Sequence, residues 1–561
     1  MLGTLEQLKA LPRVTDITRT MLRFGLHDIV HSVRLHRVLD LTRDLLGWKP
    51  DPEILARPLP ERLRLALEDL GPTFIKLGQV LASRVDMLPP EWIRSLDQLH
   101  ANAAPVPFAE IEPQLLADLG RPLLEAFKSF ETVPRAAASI AQVHYALLSD
   151  GTAVAVKLRR PGVVDKVQAD LALLEMLAAW LEAEEPAVKR FQPLELARQL
   201  RKSITRELDF AAEARGQQRF ADNFTGQNDI VIPRIRPEFT RETLLVMDWI
   251  DGLPGTDLAA VDAAGMNRDV LAARGADAVM KMVLVDGFFH ADPHPGNVFY
   301  LPGDRVAMID FGMVGWLSHR RRDELVDLLA AVASKDAAAM RDVLLGWAEG
   351  GRMSSPEHFA DDLGRLLYLY ERAALQEIRI GTLLNEIAGV MRDHRLVLPA
   401  DLALLFKALV TLEGLGAQLD PQFRLVKHIT PYVRGLLRER WEPRTLAKRA
   451  ARQMREASVA LSELPKLVGQ FARQVGAGGV GIHLEIREME VLTSHLERSV
   501  NRLAIGIVTA ALIVGSSILL AVTSDKGSFG VWLFGVAGIM VALANSVWLI
   551  VSIRRSARKP G

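Results

Sequence analysis

Two aspartates and an asparagine in the middle of the chain carry the strongest chemical signal. Asp292 lies five residues before Asn297, and Asp310 follows thirteen residues later as part of an Asp-Phe-Gly sequence. Phosphoryl transfer needs a carboxylate beside the attacking hydroxyl or water, and oxygen ligands for a magnesium ion on the phosphates. This spacing is typical of kinase catalytic and metal loops. We therefore predict that Asp292 orients the attacking group and that Asn297 and Asp310 hold Mg2+. The alternative is that these residues only cap turns, which would explain any one of them but not all three together.

Lys157 ends a strand-like segment, 153–157, of the kind that carries the phosphate-binding lysine of kinases. Such a lysine pairs with a carboxylate from a later helix. Asp209 and Glu213 offer one, and their i, i+4 spacing predicts that they share a helix face. Like charges at this spacing repel each other, which favours a cation opposite them. Solvent-exposed side chains are the alternative interpretation.

The segment before this strand lacks the glycines of an ordinary kinase phosphate loop. A G-x-G-x-x-G sequence is expected there, but the chain has Ala136, Ala137, Ala138 and Ser139. Alanine and serine adopt positive φ less readily than glycine does. We expect these four residues to cover the nucleotide phosphates in a different and less flexible way.

A polar stripe lies on an earlier predicted helix, which begins near Pro72. Lys76, Gln79 and Ser83 follow one another at i, i+3 and i+7. A glycine inside a helix costs about 1 kcal/mol relative to alanine, so Gly78 indicates close packing against another element. The pattern by itself is as compatible with a solvated stripe as with a functional one.

A small sheet and a larger helical region are needed to bring these residues together. Alternating apolar residues and turn signals predict strands at 127–132, 141–148, 152–158 and 243–249. Apolar residues at helical spacing predict helices at 163–185 and 193–219. From residue 267 onward the pattern is helical, apart from a strand-like patch at 298–309.

Composition excludes several classes of protein. Lysine plus arginine and aspartate plus glutamate both number 68, so the net charge is zero, which argues against a nucleic-acid binder. The absence of cysteine excludes disulfides, cysteine nucleophiles and cysteine-ligated metal centres. A length of 561 residues predicts three or four domain-sized units. Hydrophobic residues make up 49%, a high share for a chain that is 24% charged.

The apolar excess lies towards the end of the sequence. Two runs of 22 and 27 uncharged residues predict a transmembrane hairpin with spans at 503–523 and 529–553, since a spanning helix needs about 20 apolar residues. Arginines outside both spans predict that the two ends, and the catalytic region, lie in the cytoplasm. A pair of buried core helices is the alternative. The segment 434–455 has eight basic and two acidic residues, and we expect it to lie on anionic lipid headgroups or to form a solvated helix face.

Together these residues resemble the UbiB family of atypical protein-kinase-like proteins, which is associated with ubiquinone biosynthesis. The segment 76–79 looks like the K-x-G-Q signature of the family, and 136–139 looks like its alanine-rich loop. Glu207 and Asp209 look like its E-x-D motif. The resemblance runs from about residue 60 to about residue 435, and the hairpin matches bacterial members.

The resemblance implies an α+β fold of the bilobal protein-kinase-like type, with a small β-containing N-lobe and a larger helical C-lobe. We expect five regions along the chain. They are an N-terminal helical extension with the K-x-G-Q motif (1–104), the N-lobe (105–250), the C-lobe (251–437), a basic and amphipathic juxtamembrane linker (438–501) and the transmembrane helical hairpin (502–555).

The resemblance also implies roles for individual residues, with ATP and Mg2+ as cofactors. Lys157 would pair with Glu213, and the adenine would contact the backbone near Met247. The K-x-G-Q extension would pack over the place where a peptide substrate would enter, with E-x-D engaging it. The implied regulatory residues are Lys76, Gly78, Gln79, Glu207 and Asp209.

The implied function is that of a membrane-tethered, Mg2+-dependent ATPase or atypical kinase that supports ubiquinone biosynthesis by acting on, or giving access to, membrane-borne quinone precursors. The expected partners are ATP, anionic lipid headgroups, isoprenoid quinone precursors and other enzymes of quinone biosynthesis. The expected location is the bacterial inner membrane, with several passes. Glycines within the predicted spans would permit close helix packing and a homo-oligomer.

Two other functions stay open. The His290-x-Asp292-x-His294-x-x-Asn297 pattern also resembles the loop of aminoglycoside and choline kinases, which favours a small-molecule or lipid kinase. A nucleotide-gated scaffold for lipid-modifying enzymes is the third hypothesis, and it would require nucleotide binding without hydrolysis.

Overall fold

The computed structural model describes most of residues 13–26 and 104–348, together with 52–99, 355–370, 378–440 and isolated positions between 516 and 545. The chain divides into two compact units, Met1–Leu446 and Ala447–Gly561. The predicted spans at 503–523 and 529–553 lie outside the described residues, apart from those isolated positions. The predicted linker at 438–501 lies outside them beyond residue 440.

Four helices form the described part of the N-terminal extension beyond residue 51. They are α1 (Pro52–Leu55), α2 (Leu59–Leu70), α3 (Pro72–Ala82) and α4 (Pro90–Leu96). Gly71 has a φ of 98°, a conformation that favours glycine, and Pro72 then begins α3 as predicted. Leucines of these helices pack with Phe74 into a small core of their own.

Among the described residues, six strands precede the predicted C-lobe. They are β1 (Phe127–Phe130), β2 (Ala136–Ala137), β3 (Ala141–Leu148), β4 (Ala153–Arg159), β5 (Ile230–Val231) and β6 (Leu244–Asp248). Strands β1, β3, β4 and β6 follow one another in an antiparallel sheet, and β2 also pairs with β3. The predicted hairpin is confirmed, because β3 and β4 pair along their length and Gly151 turns between them with a φ of 83°.

The described residues of the predicted N-lobe also form six helices. They are α5 (Phe108–Leu119), α6 (Leu123–Ala126), α7 (Val163–Glu184), α8 (Pro186–Lys189), α9 (Pro193–Leu208) and α10 (Phe210–Asn223). The prediction of a single helix at 193–219 is wrong, because α9 ends at Leu208 and α10 begins at Phe210, with Asp209 between them. Its backbone is extended, and its side chain accepts a hydrogen bond from the Ala212 amide at 3.0 Å, which caps α10. Asp209 therefore precedes the helix that carries Glu213, and the helix face expected to carry both does not form.

In the predicted C-lobe the described residues form five short strands. They are β7 (Leu253–Pro254), β8 (Phe288–His290), β9 (Val298–Leu301), β10 (Arg305–Met308) and β11 (Val314–Trp316). The strand-like patch at 298–309 is confirmed as the β9–β10 hairpin. Strand β5 pairs in parallel with β10, and β8 pairs with β11, so both predicted chemical loops leave from paired strands. Three-residue strands such as β8 and β11 are too short to show an alternation pattern.

Helices enclose the rest of the C-lobe core. They are α11 (Leu258–Ala263), α12 (Arg268–Met280), α13 (His319–Ser334), α14 (Ala337–Trp347), α15 (Pro356–Leu369), α16 (Ile380–Asp393), α17 (Ala400–Leu419) and α18 (Leu425–Arg440). A six-residue π-helix, Lys281–Asp286, continues α12 towards β8. The largest hydrophobic cluster lies here, with Phe406 of α17 fully buried.

Within the described ranges, α17 is the one helix long and apolar enough to cross a membrane, with a mean hydropathy of 1.5. Most of it is buried in the C-lobe core, so length and apolarity here accompany a role in packing. This helix is distinct from the predicted hairpin.

Candidate active site

The loop after β8 holds Asp292 and Asn297 in one compact turn. His294 accepts a hydrogen bond from the Gly296 amide through Nδ1, and residues Pro295–Asn297 then form a single 3-10 turn that leads into β9. The Asn297 side-chain amide donates from Nδ2 to the Asp292 carbonyl at 3.2 Å. This bond uses the amide nitrogen, which leaves the Asn297 Oδ1 oxygen as the group that could bind a cation.

His290 connects this loop to the Asp310 loop. The Asp292 amide donates to His290 Nδ1 at 3.1 Å, and His290 Nε2 lies 3.3 Å from the Ile309 carbonyl. Burial lowers the pKa of His290, so the ring is neutral and carries its proton on Nε2, from where it donates to Ile309. One buried imidazole thus sets the distance between the two predicted chemical loops.

Asp310 follows β10 with a φ of 58°, which is uncommon for a residue other than glycine. Its Oδ1 accepts a hydrogen bond from the Gly312 amide at 3.2 Å and lies 3.7 Å from Lys157 Nζ. The Lys157 charge, with help from the Gly312 amide, lowers the pKa of Asp310 to about 2. The carboxylate is therefore ionised and half-exposed, as a metal ligand facing a nucleotide would be.

Lys157 and Glu213 form the short ion pair of the site. Lys157 Nζ donates to both carboxylate oxygens of Glu213, at 2.7 and 2.9 Å, across 56 residues of sequence. Burial by itself would lower the pKa of Lys157, but Asp310 and Glu213 outweigh it and hold that pKa above its usual value. The lysine is a fixed positive charge between two carboxylates.

The alanine-rich segment forms a short strand rather than a flexible loop. Ala136 and Ala137 pair with β3, and the Ala138 amide donates to the Ala141 carbonyl at 2.8 Å. Ala136 lies opposite Val143, which itself lies opposite Lys157 on β4. Ala138 and Ser139 follow at the turn into β3, so all four residues lie at the edge of the sheet that carries the lysine.

Met247 occupies the next-to-last position of β6, opposite Ala155 of β4. Its side chain is buried, and its sulfur lies 3.4 Å from the Gln217 amide nitrogen on α10. The adenine contact expected of the Met247 backbone stays a prediction.

The K-x-G-Q helix contacts the site through Lys76. Lys76 Nζ lies 2.6 Å from Glu207 Oε2, and the lysine is almost fully buried. Burial would lower the pKa of Lys76, but the Glu207 carboxylate, together with Asp292 and Asp310, outweighs it and raises the pKa. Gln79 lies half-buried on the same helix. Asp209 caps α10, so the two acidic residues of E-x-D have different contacts.

Gly78 packs closely against α2 and the end of α4, as its position inside a helix indicated. A Cβ atom there would lie 2.1 Å from Leu99 Cδ1 and 2.9 Å from Leu67 Cδ1. Leu96 is the next nearest neighbour, at 3.6 Å. Ser83, the end of the predicted polar stripe, is buried and donates to the Val80 carbonyl.

Lys407 and Asp97, two charged residues near Asp292, were not predicted from the sequence. Lys407 Nζ on α17 lies 3.8 Å from Asp292 Oδ1 and 3.9 Å from Asp97 Oδ1, and His294 Nε2 lies 4.0 Å from the other Asp292 oxygen. The one available signal was a lysine in the middle of an apolar 20-residue helix. Nothing local to Lys407 or Asp97 indicates that the two residues meet.

The donor set suits magnesium bound together with phosphates. In the described part of the chain no group of three or more His, Cys, Asp or Glu side chains could hold a metal ion by itself. Mg2+ usually takes one or two protein oxygens and completes its shell with phosphates and water. The carboxylate of Asp310 and the free Oδ1 of Asn297 are hard oxygen donors of this kind.

Three family models match the sequence. The ABC1 atypical kinase-like domain matches residues 98–344, the UbiB helical domain residues 365–424, and the ABC1/UbiB kinase-like C-terminal domain residues 487–555. The first match contains all of the described site residues between Lys157 and Asp310. The second contains Lys407.

Curated relatives match the chain over nearly its whole length. A "Probable protein kinase UbiB" of Xanthomonas euvesicatoria pv. vesicatoria is 31% identical, over 97% of this chain and 100% of the relative. A protein with the same name from Sodalis glossinidius is also 31% identical, over 98% and 99%. An uncharacterised protein from the hydrogenase 1 5' region of Clostridium pasteurianum is 30% identical, over 89% and 93%.

A solved structure, Rv3197 of Mycobacterium tuberculosis in complex with erythromycin, is 25% identical to this chain. It covers 61% of this chain and 87% of its own, with a TM-score of 0.45. The domain matches and the full-length identity to curated relatives, taken with the kinase-like arrangement of the two loops, show that this chain belongs to the UbiB family of atypical kinase-like proteins.

Proposed function

We propose that this protein is a Mg2+-dependent ATPase of the atypical kinase type that supports ubiquinone biosynthesis at the cytoplasmic face of a membrane. One observation carries the enzymatic part of the proposal. Lys157 lies between Glu213 and Asp310, and the loop with Asp292 and Asn297 is fixed to the Asp310 loop through His290. This arrangement supports roles for Lys157 as a phosphate-binding cation, for Asn297 and Asp310 as metal ligands, and for Asp292 as the carboxylate that orients the attacking group.

In the proposed reaction Lys157 binds nucleotide phosphate. Asn297 and Asp310 would hold Mg2+, and the metal would supply positive charge that stabilises the phosphates. Asp292 orients a water molecule. The water oxygen bonds to the γ-phosphorus as the bond from that phosphorus to the bridging oxygen breaks. The water proton passes to Asp292 and then to solvent, which leaves ADP and inorganic phosphate.

The membrane and quinone parts of the proposal have separate support. The two uncharged runs in the last tenth of the sequence are long enough to span a bilayer. Two of the reported curated relatives carry the UbiB name, and the UbiB family is associated with ubiquinone biosynthesis. A catalytic region on the cytoplasmic side would then meet anionic headgroups and membrane-borne quinone precursors.

ATP turnover by the purified full-length protein tests the enzymatic part. We expect Mg2+-dependent release of phosphate that increases with phosphatidylglycerol vesicles over phosphatidylcholine vesicles, and a loss of at least about a hundredfold in Asp310→Asn. Equal turnover in the wild type and in Asp310→Asn would refute the ATPase assignment. A deletion strain with normal ubiquinone content would refute the biosynthetic role.

A small-molecule or lipid kinase is the second candidate. His294 lies beside Asp292, in the pattern that also resembles choline and aminoglycoside kinases. Here the acceptor hydroxyl would replace water, and mass spectrometry of extracted lipids and phenols would detect a product heavier by one phosphoryl group.

A further inference from the structure

Lys407 is a charged residue on a helix that is mostly apolar and buried. Helix α17 is mostly buried in the C-lobe core, and Lys407 is its one lysine, with a side chain only 13% exposed. Burying an ammonium group is costly unless it is paired. Its nearest carboxylates are Asp292 Oδ1 at 3.8 Å and Asp97 Oδ1 at 3.9 Å. The compensation for burial therefore comes from the proposed catalytic aspartate and from the N-terminal extension together.

The geometry of these contacts leaves the ammonium group available. Both distances exceed the range of an N–H to O hydrogen bond, so the Lys407 ammonium acts on the two carboxylates mainly as a charge. An ammonium has three N–H donors, none of which is committed to these two oxygens. The contrast is with Lys157, which donates to both oxygens of Glu213 at 2.7 and 2.9 Å.

Asp97 belongs to the N-terminal extension. It is the C-cap residue of α4, and the nearby Leu96 and Leu99 pack against Gly78 of α3. The loop between α3 and α4 is in turn fixed to the C-lobe by a hydrogen bond. Asp86 accepts a hydrogen bond from the Leu398 amide at 2.8 Å, two residues before α17 begins.

We propose that Lys407 is a positioning residue for Asp292, and that Asp97 shares its charge, so that the N-terminal extension acts on the proposed catalytic carboxylate through Lys407. This inference rests on the proposed ATPase function and adds a route for its regulation. When Asp97 is close, it draws part of the ammonium charge away from Asp292. Without the Asp97 charge, the whole ammonium charge would act on Asp292.

Steady-state ATP turnover by full-length variants tests the positioning role. Lys407→Met should lower kcat about a hundredfold with little change in KM for ATP, because a carboxylate misplaced by about 1 Å costs this much. Lys407→Arg should recover most of the loss. The matched control is Arg321→Met. Arg321 lies on α13 and pairs with Asp401 of α17, the helix that carries Lys407, and it does not contact Asp292. Wild-type kcat in Lys407→Met, or no recovery in Lys407→Arg, would overturn the positioning role.

A double-mutant cycle tests the link to the extension. Asp97→Asn should raise kcat about twofold in the wild-type background and leave it unchanged in Lys407→Met. The same cycle in denaturant unfolding provides a readout that does not depend on turnover: Asp97→Asn should change the unfolding equilibrium at least threefold only where Lys407 is present. Equal effects in both backgrounds would overturn the link. If the wild type hydrolyses no ATP, the proposed function fails, while the unfolding cycle still decides the link.

Discussion

The two sides of the candidate site are held by charge in different ways. On the phosphate side, Lys157 and Glu213 form two hydrogen bonds of 2.7 and 2.9 Å, and the Glu213 side chain is only 1% exposed. On the acceptor side, Lys407 lies 3.8 Å from Asp292 and 3.9 Å from Asp97, without a hydrogen bond to either.

The difference follows from the elements that carry these residues. The phosphate side joins β4 to α10, two elements within the N-lobe. The acceptor side joins a C-lobe loop and α17 to the end of α4, three elements that are far apart in sequence. Short hydrogen bonds fix the position of a group that binds a nucleotide, whereas longer electrostatic contacts tolerate small movements. We infer that the phosphate side is preorganised and that the acceptor side is the adjustable one.

The largest expected effect on stability is on the phosphate side. Lys157→Met should lower the free energy of unfolding by about 3–5 kcal/mol, because it leaves the Glu213 carboxylate buried without its partner. Chemical denaturation measures this change. The control is the double variant Lys157→Met, Glu213→Leu, which should regain most of the stability because no buried charge remains. A loss below about 1 kcal/mol in the single variant would contradict the preorganised pair.

The packing that supports the acceptor side gives the next largest effect. Gly78→Ala should cost about 1–3 kcal/mol, because the new methyl group meets Leu99 and Leu67 and overpacks the extension. It should also lower ATP turnover, since Leu99 lies two residues after Asp97. Thermal unfolding and turnover would be measured together.

Gly216→Ala is the matched control, a helical glycine on α10 with nothing within 4 Å of its added Cβ. It should stabilise the protein by up to about 1 kcal/mol through helix propensity. If both glycine variants behaved alike, the close approach at Gly78 would have no role.

Lys407→Met should have a much smaller effect on stability, about 1 kcal/mol or less, despite its expected effect on turnover. The Asp292 and Asp97 carboxylates that it leaves are 22% and 47% exposed, so water can solvate them. Comparison of its denaturation midpoint with that of Lys157→Met measures the difference between the two sides directly. Equal losses of stability in the two variants would break the comparison.

The smallest expected effect is a pH dependence that both sides share. Burial lowers the pKa of His144 in β3 and of His290 at the end of β8. A histidine whose pKa is lower in the folded state takes up its proton more readily when unfolded, so stability is full above the ordinary pKa of about 6.5 and falls as the pH decreases through it. Denaturation at pH 8 and at pH 5 would measure the loss.

His144→Gln tests the phosphate-side share of this dependence. The glutamine removes the titrating ring while it keeps a polar group near Gln142 and the Glu131 carbonyl. The slope of stability against pH should become shallower in this variant. An unchanged slope would assign the whole dependence to other groups.

The sequence by itself determined the parts of this protein whose signals are local. Asp292 and Asn297 lie within one short turn, and Asp310 follows a single hairpin later, so their spacing predicts their proximity. The β3–β4 hairpin and the start of α3 at Pro72 depend on turn and helix signals within a few residues, and both are confirmed. The pairing of Lys157 with Glu213 came through the resemblance to a family, and the structure brings the two residues together.

Only the tertiary structure decided the rest, because competing local preferences or distant contacts were involved. Asp209 fits a continuous helical pattern. However, its side chain accepts a hydrogen bond from the Ala212 amide and caps α10, so the helix is interrupted at this residue. Ala136 and Ala137 have no strand signal of their own and pair because β3 offers an open edge. Asp292 lies 195 residues after Asp97 in the sequence, and Lys407 lies a further 115 residues along. No periodicity connects residues at such distances, and it is the packing of α4 and α17 around the catalytic loop that brings their charges together.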